Sequence, residues 1–404
     1  MNIIDRTAVS TATKTVMLTP RSERGRLGKM LALNDFEKAA KRLLPRSVFA
    51  YVSGVAEEGQ ASDAMYRSFQ ETRLLPRVLR DVSGRVQRTV LFGETYDHPF
   101  GIAPMGSSAL AAFDADVVLA RSAAKSGIPS IVSGASLTRL ERIEEEAPGR
   151  WFQAYLGADR SRMEALIDRV ADAGYGTLVF TADVAVLGNR EHYARAGFET
   201  PLRPSLDLAW QGITHPRWLF GTAVKTLLKQ GIPHFENMEA YRGAPILARN
   251  VMRDFGTRDH FSWQHLEIIR KRWKGNLIVK GILAAEDARI AAQSGVDGII
   301  VSSHGGRQLD GAIAPLHALP GIVEQAGSAT VMLDGGIRRG TDVIKAIALG
   351  AKFVFVGRPF LYAAAAFGER GVLRAVDLLS LEIDRNLGML GLRDINDLDG
   401  SVIA

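Results

Sequence analysis

The sequence predicts an α/β fold: a (β/α)8 barrel preceded by a helical lid and interrupted by one long insertion after the fourth strand. Three observations carry this reading. Forty glycines, many in the second half, stand beside short Val/Ile/Leu runs, the mark of buried parallel strands joined by tight turns to helices. After Leu91 a rhythm repeats: an apolar run, a polar residue or glycine at its end, then a helical stretch of Ala, Glu, Arg and Leu. Eight such runs are present, FGIAP, PSIVSG, WFQAYL, TLVFTAD, NLIVKG, GIIVSSHGG, TVMLDGG and KFVFVGRP, and eight strand-helix units close naturally into a barrel.

The 404 residues, 47% of them hydrophobic, suit one large domain or two ordinary ones, so pattern decides. Residues 1–34 are rich in Ser, Thr, Arg and Lys and lack an apolar signal core; they read as a mobile tail, and residues 35–404 as the barrel domain. A transit peptide is the alternative for the Arg-rich start. From Asn34 to Gly54, NDFEKAAKRLLPRSVFAYVSG reads as a helix, a proline interruption and a second short helix ending on glycine, a lid before the main body.

The spacing breaks once. About ninety residues separate TLVFTAD from NLIVKG, which marks an insertion at about 196–262. Within it ITHPRWLFGTAVKTLLKQG sets Trp218, Leu219, Phe220, Val224, Leu227 and Leu228 beside Arg217, Lys225 and Lys229. A helix packed on the barrel or on a neighbouring subunit explains this stretch; peripheral membrane contact through residues 201–262 is the alternative.

Composition excludes several chemistries. With no cysteine there are no disulfides, thiolate metal sites, iron-sulfur clusters or cysteine nucleophiles, and no metal site is expected. No stretch of ~18 apolar residues exists to span a bilayer. A cytoplasmic protein fits these absences, with peripheral attachment to the inner face of the membrane as the alternative. The net charge of +6 suits an anionic substrate, a phosphate-bearing cofactor or an acidic membrane surface. Nucleic acid is not expected, because no basic run interleaved with aromatics occurs.

In a (β/α)8 barrel the residues at the carboxyl ends of the strands converge on the active site. Here those ends carry Met105 with Gly106, Ser133, Gln153 with Tyr155, Thr181 with Asp183, Lys280, His304 with Arg307, Asp334 with Arg338, and Gly357 with Arg358. The loops after the last two strands predict a phosphate site: Gly335, Gly336 and Gly357 let the backbone approach, and Arg338 or Arg358 adds a charged fork. Simple chain turning is the plainer reading of those glycines.

His304 and Arg307 leave strand 6 together in VSSHGGRQLDG. A histidine accepts a proton near neutral pH and an arginine clamps a carboxylate bidentately, a pairing that suits an anionic hydroxy acid. His98, His192, His215, His234, His260, His265 and His317 lack such neighbours and read as structural. Asp183 beside a histidine would orient the ring and stabilise imidazolium, and Lys280 would neutralise an anion. An Asp183–Lys280 ion pair tying adjacent strands is the plainer alternative.

At this point the motifs SHGGRQLD, DGGIRRGTDV, IVKGIL, WFQAYL and TADVAVLGNRE resemble the flavin-dependent 2-hydroxy acid oxidases and dehydrogenases, from about Asn34 to the C-terminus. The resemblance implies FMN as cofactor and oxidation of an (S)-2-hydroxy acid, mandelate-like or lactate-like, to the 2-oxo acid. It makes His304 the proton acceptor and Asp183 its partner. Arg190, Arg307 and Tyr51 would hold the substrate carboxylate and Tyr155 its hydroxyl, with Lys280 beside the flavin N1 and O2. Pro104, Met105, Gly106, Ser133, Gln153 and Thr181 would meet the flavin ring; Asp334, Gly336, Arg338, Gly357 and Arg358 would hold ribityl and phosphate. A homotetramer is implied too, with electrons passing to a quinone or to oxygen.

Three departures qualify the match. Ser303 stands where the family usually has asparagine, and Ala135 where glycolate oxidase has a bulky tryptophan, leaving room for a larger substrate. Gly106 occupies a position where oxygen-using members carry alanine, which favours a dehydrogenase over an oxidase. More distant alternatives are an FMN-barrel isomerase and a non-catalytic phosphate-binding barrel.

Overall fold

Each of the eight apolar runs forms a strand because its side chains can be buried on both faces. We label them β1 (Phe100–Ile102), β2 (Ile131–Ser133), β3 (Trp151–Ala154), β4 (Thr177–Thr181), β5 (Asn276–Ile282), β6 (Gly298–Val301), β7 (Thr330–Asp334) and β8 (Phe353–Val356). The computed structural model describes residues 25–157, 159–198, 205–248 and 258–404. All pairings within the sheet are parallel, in the order β1-β8-β7-β6-β5-β4-β3-β2. A parallel bridge from Ile102 to Ser130 joins the two ends and closes the barrel.

The period of two along each strand divides the core and positions the site. Ala103, Ile131, Trp151, Val179, Ile278, Ile300, Met332 and Phe355 fill the barrel interior. Their neighbours, among them Phe152, Leu178, Leu277, Ile299, Leu333 and Val354, pack outward against the helices. Two residues beyond the inward apolar layer, the next inward positions are Met105, Ser133, Gln153, Thr181, Lys280, Ser302, Asp334 and Gly357. A polar ring therefore sits on an apolar plug. From below, the antiparallel hairpin pairing Thr89–Leu91 with Glu94–Tyr96 lays Leu91, Phe92 and Tyr96 against the same plug.

The lid comprises α1 (Leu33–Leu43), α2 (Arg46–Ser53) and α3 (Gln60–Glu71). Pro45 separates the first two at the N-cap of α2, where its missing N–H is no loss. Residues 1–24, most of the segment read as a tail, lie outside the described residues; of the remainder, Leu27, Met30 and Leu33 already pack against the core. Inside the insertion, Leu206–Thr214 is helical, and Pro216–Trp218, Leu219–Val224 and Lys225–Gln230 run on as a helix with a wider π turn in its middle. Trp218 anchors it by donating its indole N–H to the Leu110 carbonyl at 2.8 Å. Among the described residues no helix is long and apolar enough to cross a membrane.

Candidate active site

A cavity of about 590 Å³ opens above the polar ring, within the range of small-molecule sites. Its wall includes Tyr51, Pro104, Met105, Gly106, Gln153, Tyr155, Thr181, Arg190, Lys280, His304, Arg307, Asp334, Gly336, Arg338, Gly357 and Arg358. Residues drawn from nearly the whole chain thus converge as the strand-end rule predicts.

His304 occupies a tight loop directly after β6. It has a left-handed backbone (φ +55°), as do Gly305 and Gly306, a conformation uncommon outside glycine and typical of functional sites. The loop holds it by a bond from the His304 N–H to Ser302 Oγ at 3.0 Å. Asp183 Oδ1 lies 2.9 Å from His304 Nδ1, and the Tyr155 hydroxyl lies 3.4 Å from Nε2. With Nδ1 committed to a carboxylate, Nε2 is the nitrogen left for a proton from the cavity. Burial alone would raise the Asp183 pKa, but His304 and Lys280 outweigh it and hold the carboxylate below its ordinary value.

Glycine at 281 makes this geometry possible. A Cβ there would stand 2.5 Å from Asp183 Cγ, and φ is +104°. The same residue lies in a register shift between Lys280 and Ile282, and such a bulge re-aims the side chains beside it. Lys280 does not make its ion pair with Asp183, the plainer alternative for these two residues: its ammonium pairs with Asp334 Oδ2 at 3.0 Å and donates to Ser302 Oγ at 2.9 Å. Burial would lower the lysine pKa, yet Asp334 and Asp183 reverse that and leave it raised.

Arg307 meets the lid, and Arg190 braces the Arg307 loop. Arg307 Nη1 donates to the carbonyls of Tyr51 and Gly54, each at 3.0 Å, its Nη2 donates to the Tyr193 hydroxyl, and the guanidinium lies over the Tyr51 ring. Arg190 donates to the Arg307 carbonyl at 3.1 Å and to Gln308 Oε1 at 2.6 Å. Tyr51 in turn donates to the Gly106 carbonyl at 3.0 Å, and burial pushes its phenol pKa up. More bonds fasten lid to loop: Ala56 N–H to the Gly306 carbonyl at 2.8 Å and Arg358 bridging the Ser53 and Gly305 carbonyls. Ser303, the residue standing in for asparagine, donates its hydroxyl to Met65 Sδ of α3 at 3.1 Å.

One expectation for the cofactor wall changes. Ser133 does not line the cavity: its short hydroxyl donates to Gln153 Oε1 at 3.1 Å and accepts from the Ala135 N–H, so it braces Gln153 from behind. Gly335 and Gly336 line the cavity and also lie under the lid, where a Cβ would stand 2.9 Å from Met65 and 2.8 Å from Phe69 of α3 respectively.

The remaining polar groups fit FMN. Among the described residues Gln153 Nε2, Thr181 Oγ1 and the acceptor Asp334 Oδ1 are buried without a partner, and such groups cost free energy unless a ligand satisfies them. At the β7 and β8 ends Arg338 donates to the Tyr66 hydroxyl at 2.6 Å. Burial pushes the Arg358 guanidinium pKa down, and the nearby Arg338 charge adds to that. A phosphate between two such cations would relieve both.

The comparison with known proteins decides the family: the FMN-dependent dehydrogenase family matches residues 40–404. The chain belongs to it. It is 39% identical over 380 residues to an L-lactate dehydrogenase of Caulobacter sp. (strain K31), covering 92% of this chain and 97% of the relative. An L-lactate dehydrogenase of Stenotrophomonas maltophilia (strain R551-3) is 39% identical over 375 residues, covering 91% and 97%. Among solved structures, (S)-mandelate dehydrogenase, described as a monotopic membrane protein, superposes with a TM-score of 0.87 at 34% identity, covering 93% of this chain and 99% of that one. Mandelate oxidase superposes at 0.74 with 32% identity, covering 90% and 96%. As a member of this family the enzyme carries out FMN-dependent oxidation of a 2-hydroxy acid to the 2-oxo acid.

Sequence reasoning missed several wall residues. Tyr193 had a signal, one helical turn beyond Arg190 in GNREHY; Phe235, Ile246 and Arg258 had none, because their approach depends on how the insertion folds back.

Proposed function

We propose that the enzyme oxidises an (S)-2-hydroxy acid with a bulky, mandelate-like side chain, His304 acting as the base. The observation that carries this is the Asp183–His304 pair at 2.9 Å, with Nε2 presented to a cavity that also holds Tyr155, Arg190 and Arg307. His304 Nε2 takes the hydroxyl proton, Asp183 stabilises the imidazolium that forms, and Tyr155 orients the hydroxyl. Arg190, Arg307 and Tyr51 hold the carboxylate. Gln153, Thr181 and Lys280 would face the flavin ring, and Asp334, Arg338 and Arg358 would hold the ribityl and phosphate end. When bound, FMN supplies the acceptor for the two electrons and the hydrogen lost from the substrate carbon.

Leu110, Ala135, Phe235 and Ile246 build an apolar end to the cavity, and Ala135 leaves the space that supports an aromatic substrate. Lactate is the second reading, favoured by the L-lactate dehydrogenase relatives. Electrons pass to a quinone or similar acceptor rather than to oxygen, a reading that rests on Gly106. The test is anaerobic flavin reduction by aliphatic and aromatic hydroxy acids, followed by mixing with oxygen or a quinone. If no 2-hydroxy acid in a broad panel bleaches the flavin, or if His304→Ala reduces as fast as wild type, the proposal falls.

We also propose a homotetramer that contacts a bilayer through the insertion. Trp210, Phe220 and Leu228 are 64%, 66% and 80% exposed, and Arg217, Lys225 and Lys229 flank them, the composition of an interfacial helix. Sedimentation with anionic vesicles should fall for Phe220→Ser/Leu228→Ser; unchanged binding would remove the insertion from the contact.

A further inference from the structure

Arg258 comes from the far end of the insertion, outside every motif that marks the site, yet it lines the cavity and is only 5% exposed. Its Nη2 donates to the Tyr155 carbonyl at 3.4 Å, and its guanidinium carbon lies 5.2 Å from the Tyr155 ring centroid. The hydroxyl of that ring is the group that reaches His304 Nε2. Arg258, Tyr155, His304 and Asp183 therefore form one chain of contacts from the insertion to the strand ends.

Tyr155 needs such an anchor. Strand β3 ends at Ala154, so the tyrosine sits just where the ladder stops supporting the backbone. One guanidinium grips it twice, by its carbonyl and by its ring face. A cation over an aromatic face is held by the ring quadrupole, most strongly where water is excluded. It also draws electron density from the ring and keeps the phenol a better donor, working against the burial that pushes the Tyr155 pKa up to about 12. The other charged or titratable groups facing this phenol are Lys280, Asp183, Tyr51 and His304.

We propose that Arg258 is a positioning residue: it fixes Tyr155 over the substrate oxygen and so makes the insertion a structural part of the proton-transfer site. The inference rests on the roles proposed above for His304 and Tyr155.

The test is a double-mutant cycle in the flavin-replete enzyme, read by anaerobic flavin reduction across substrate concentration and pH. Arg258→Gln should lower the limiting reduction rate about tenfold while changing substrate affinity less than threefold. Arg258→Lys, which keeps a charge but loses the planar fork, should recover part of the rate. In a Tyr155→Phe background, where the hydroxyl to be aimed is gone, Arg258→Gln should cost little more. The pH–rate profile of Arg258→Gln should shift toward that of Tyr155→Phe. Full additivity with Tyr155→Phe, or a loss confined to substrate affinity, overturns the inference. A wild-type reduction rate in His304→Ala would instead sink the underlying site assignment, so the two failures are distinguishable.

Discussion

Replacing Asp183 by asparagine isolates what the carboxylate charge does for His304. The contact is short, 2.9 Å from Oδ1 to Nδ1, and asparagine keeps the shape and one neutral hydrogen bond. What disappears is the attraction between the carboxylate and the imidazolium formed as the substrate proton arrives. Two unit charges ~4 Å apart at an effective dielectric of ~20 interact by ~4 kcal/mol, and a hydrogen bond to a charged group is worth about 1.5–3 kcal/mol. Allowing for the neutral bond that remains, the loss is about 3 kcal/mol, or roughly a hundredfold in the rate of the proton-transfer step. The assay is stopped-flow reduction of the bound flavin under anaerobic conditions at saturating hydroxy acid. A flavin-replete Asp183→Asn enzyme reducing within threefold of wild type would refute the assignment of Asp183 as the partner of the base.

Acid stability gives an independent check on the same residue. Asp183 ionises below its ordinary 3.8 in the folded chain, so its stabilisation is complete above 3.8 and is lost as pH falls through the lower folded value. The melting-temperature gap between wild type and Asp183→Asn should therefore close on acidification through that window. Lys280→Met leaves Asp334 as a buried, uncompensated charge and should cost about 3–5 kcal/mol, read by denaturant unfolding; Lys280→Met/Asp334→Leu should regain much of it. Ala135→Trp should abolish flavin reduction by mandelate-like acids and spare small ones, measured as the ratio of kcat/KM values. Gly106→Ala brings a Cβ within 2.9 Å of the Ala135 Cβ, so it should raise KM most for the bulkiest substrates.

The eight strands were legible because each is an unbroken apolar run with a polar residue or glycine at its end, and burial on both faces leaves such runs few other uses. Strand-end logic reached Gln153, Thr181, Lys280 and Asp334 for the same reason: the period of two carries them into the barrel mouth. Pairings across the mouth were another matter. Whether Lys280 meets Asp183 or Asp334 turns on the bulge at Gly281, which has no signature in composition. The sequence suggests Arg307 as a carboxylate clamp; the fold makes it a tether for the carbonyls at the end of α2, because a helix terminus leaves acceptors that some donor must satisfy. Arg258 was invisible because nothing in its neighbours announces that the insertion folds back on β3.

The bonds from Arg307, Arg358, Ala56 and Ser303 have a mechanical consequence. They join the lid and the loop bearing His304 into one body, so a lid that swung open would drag the imidazole away from Asp183. A pair that stays assembled through turnover therefore calls for a lid that stays shut.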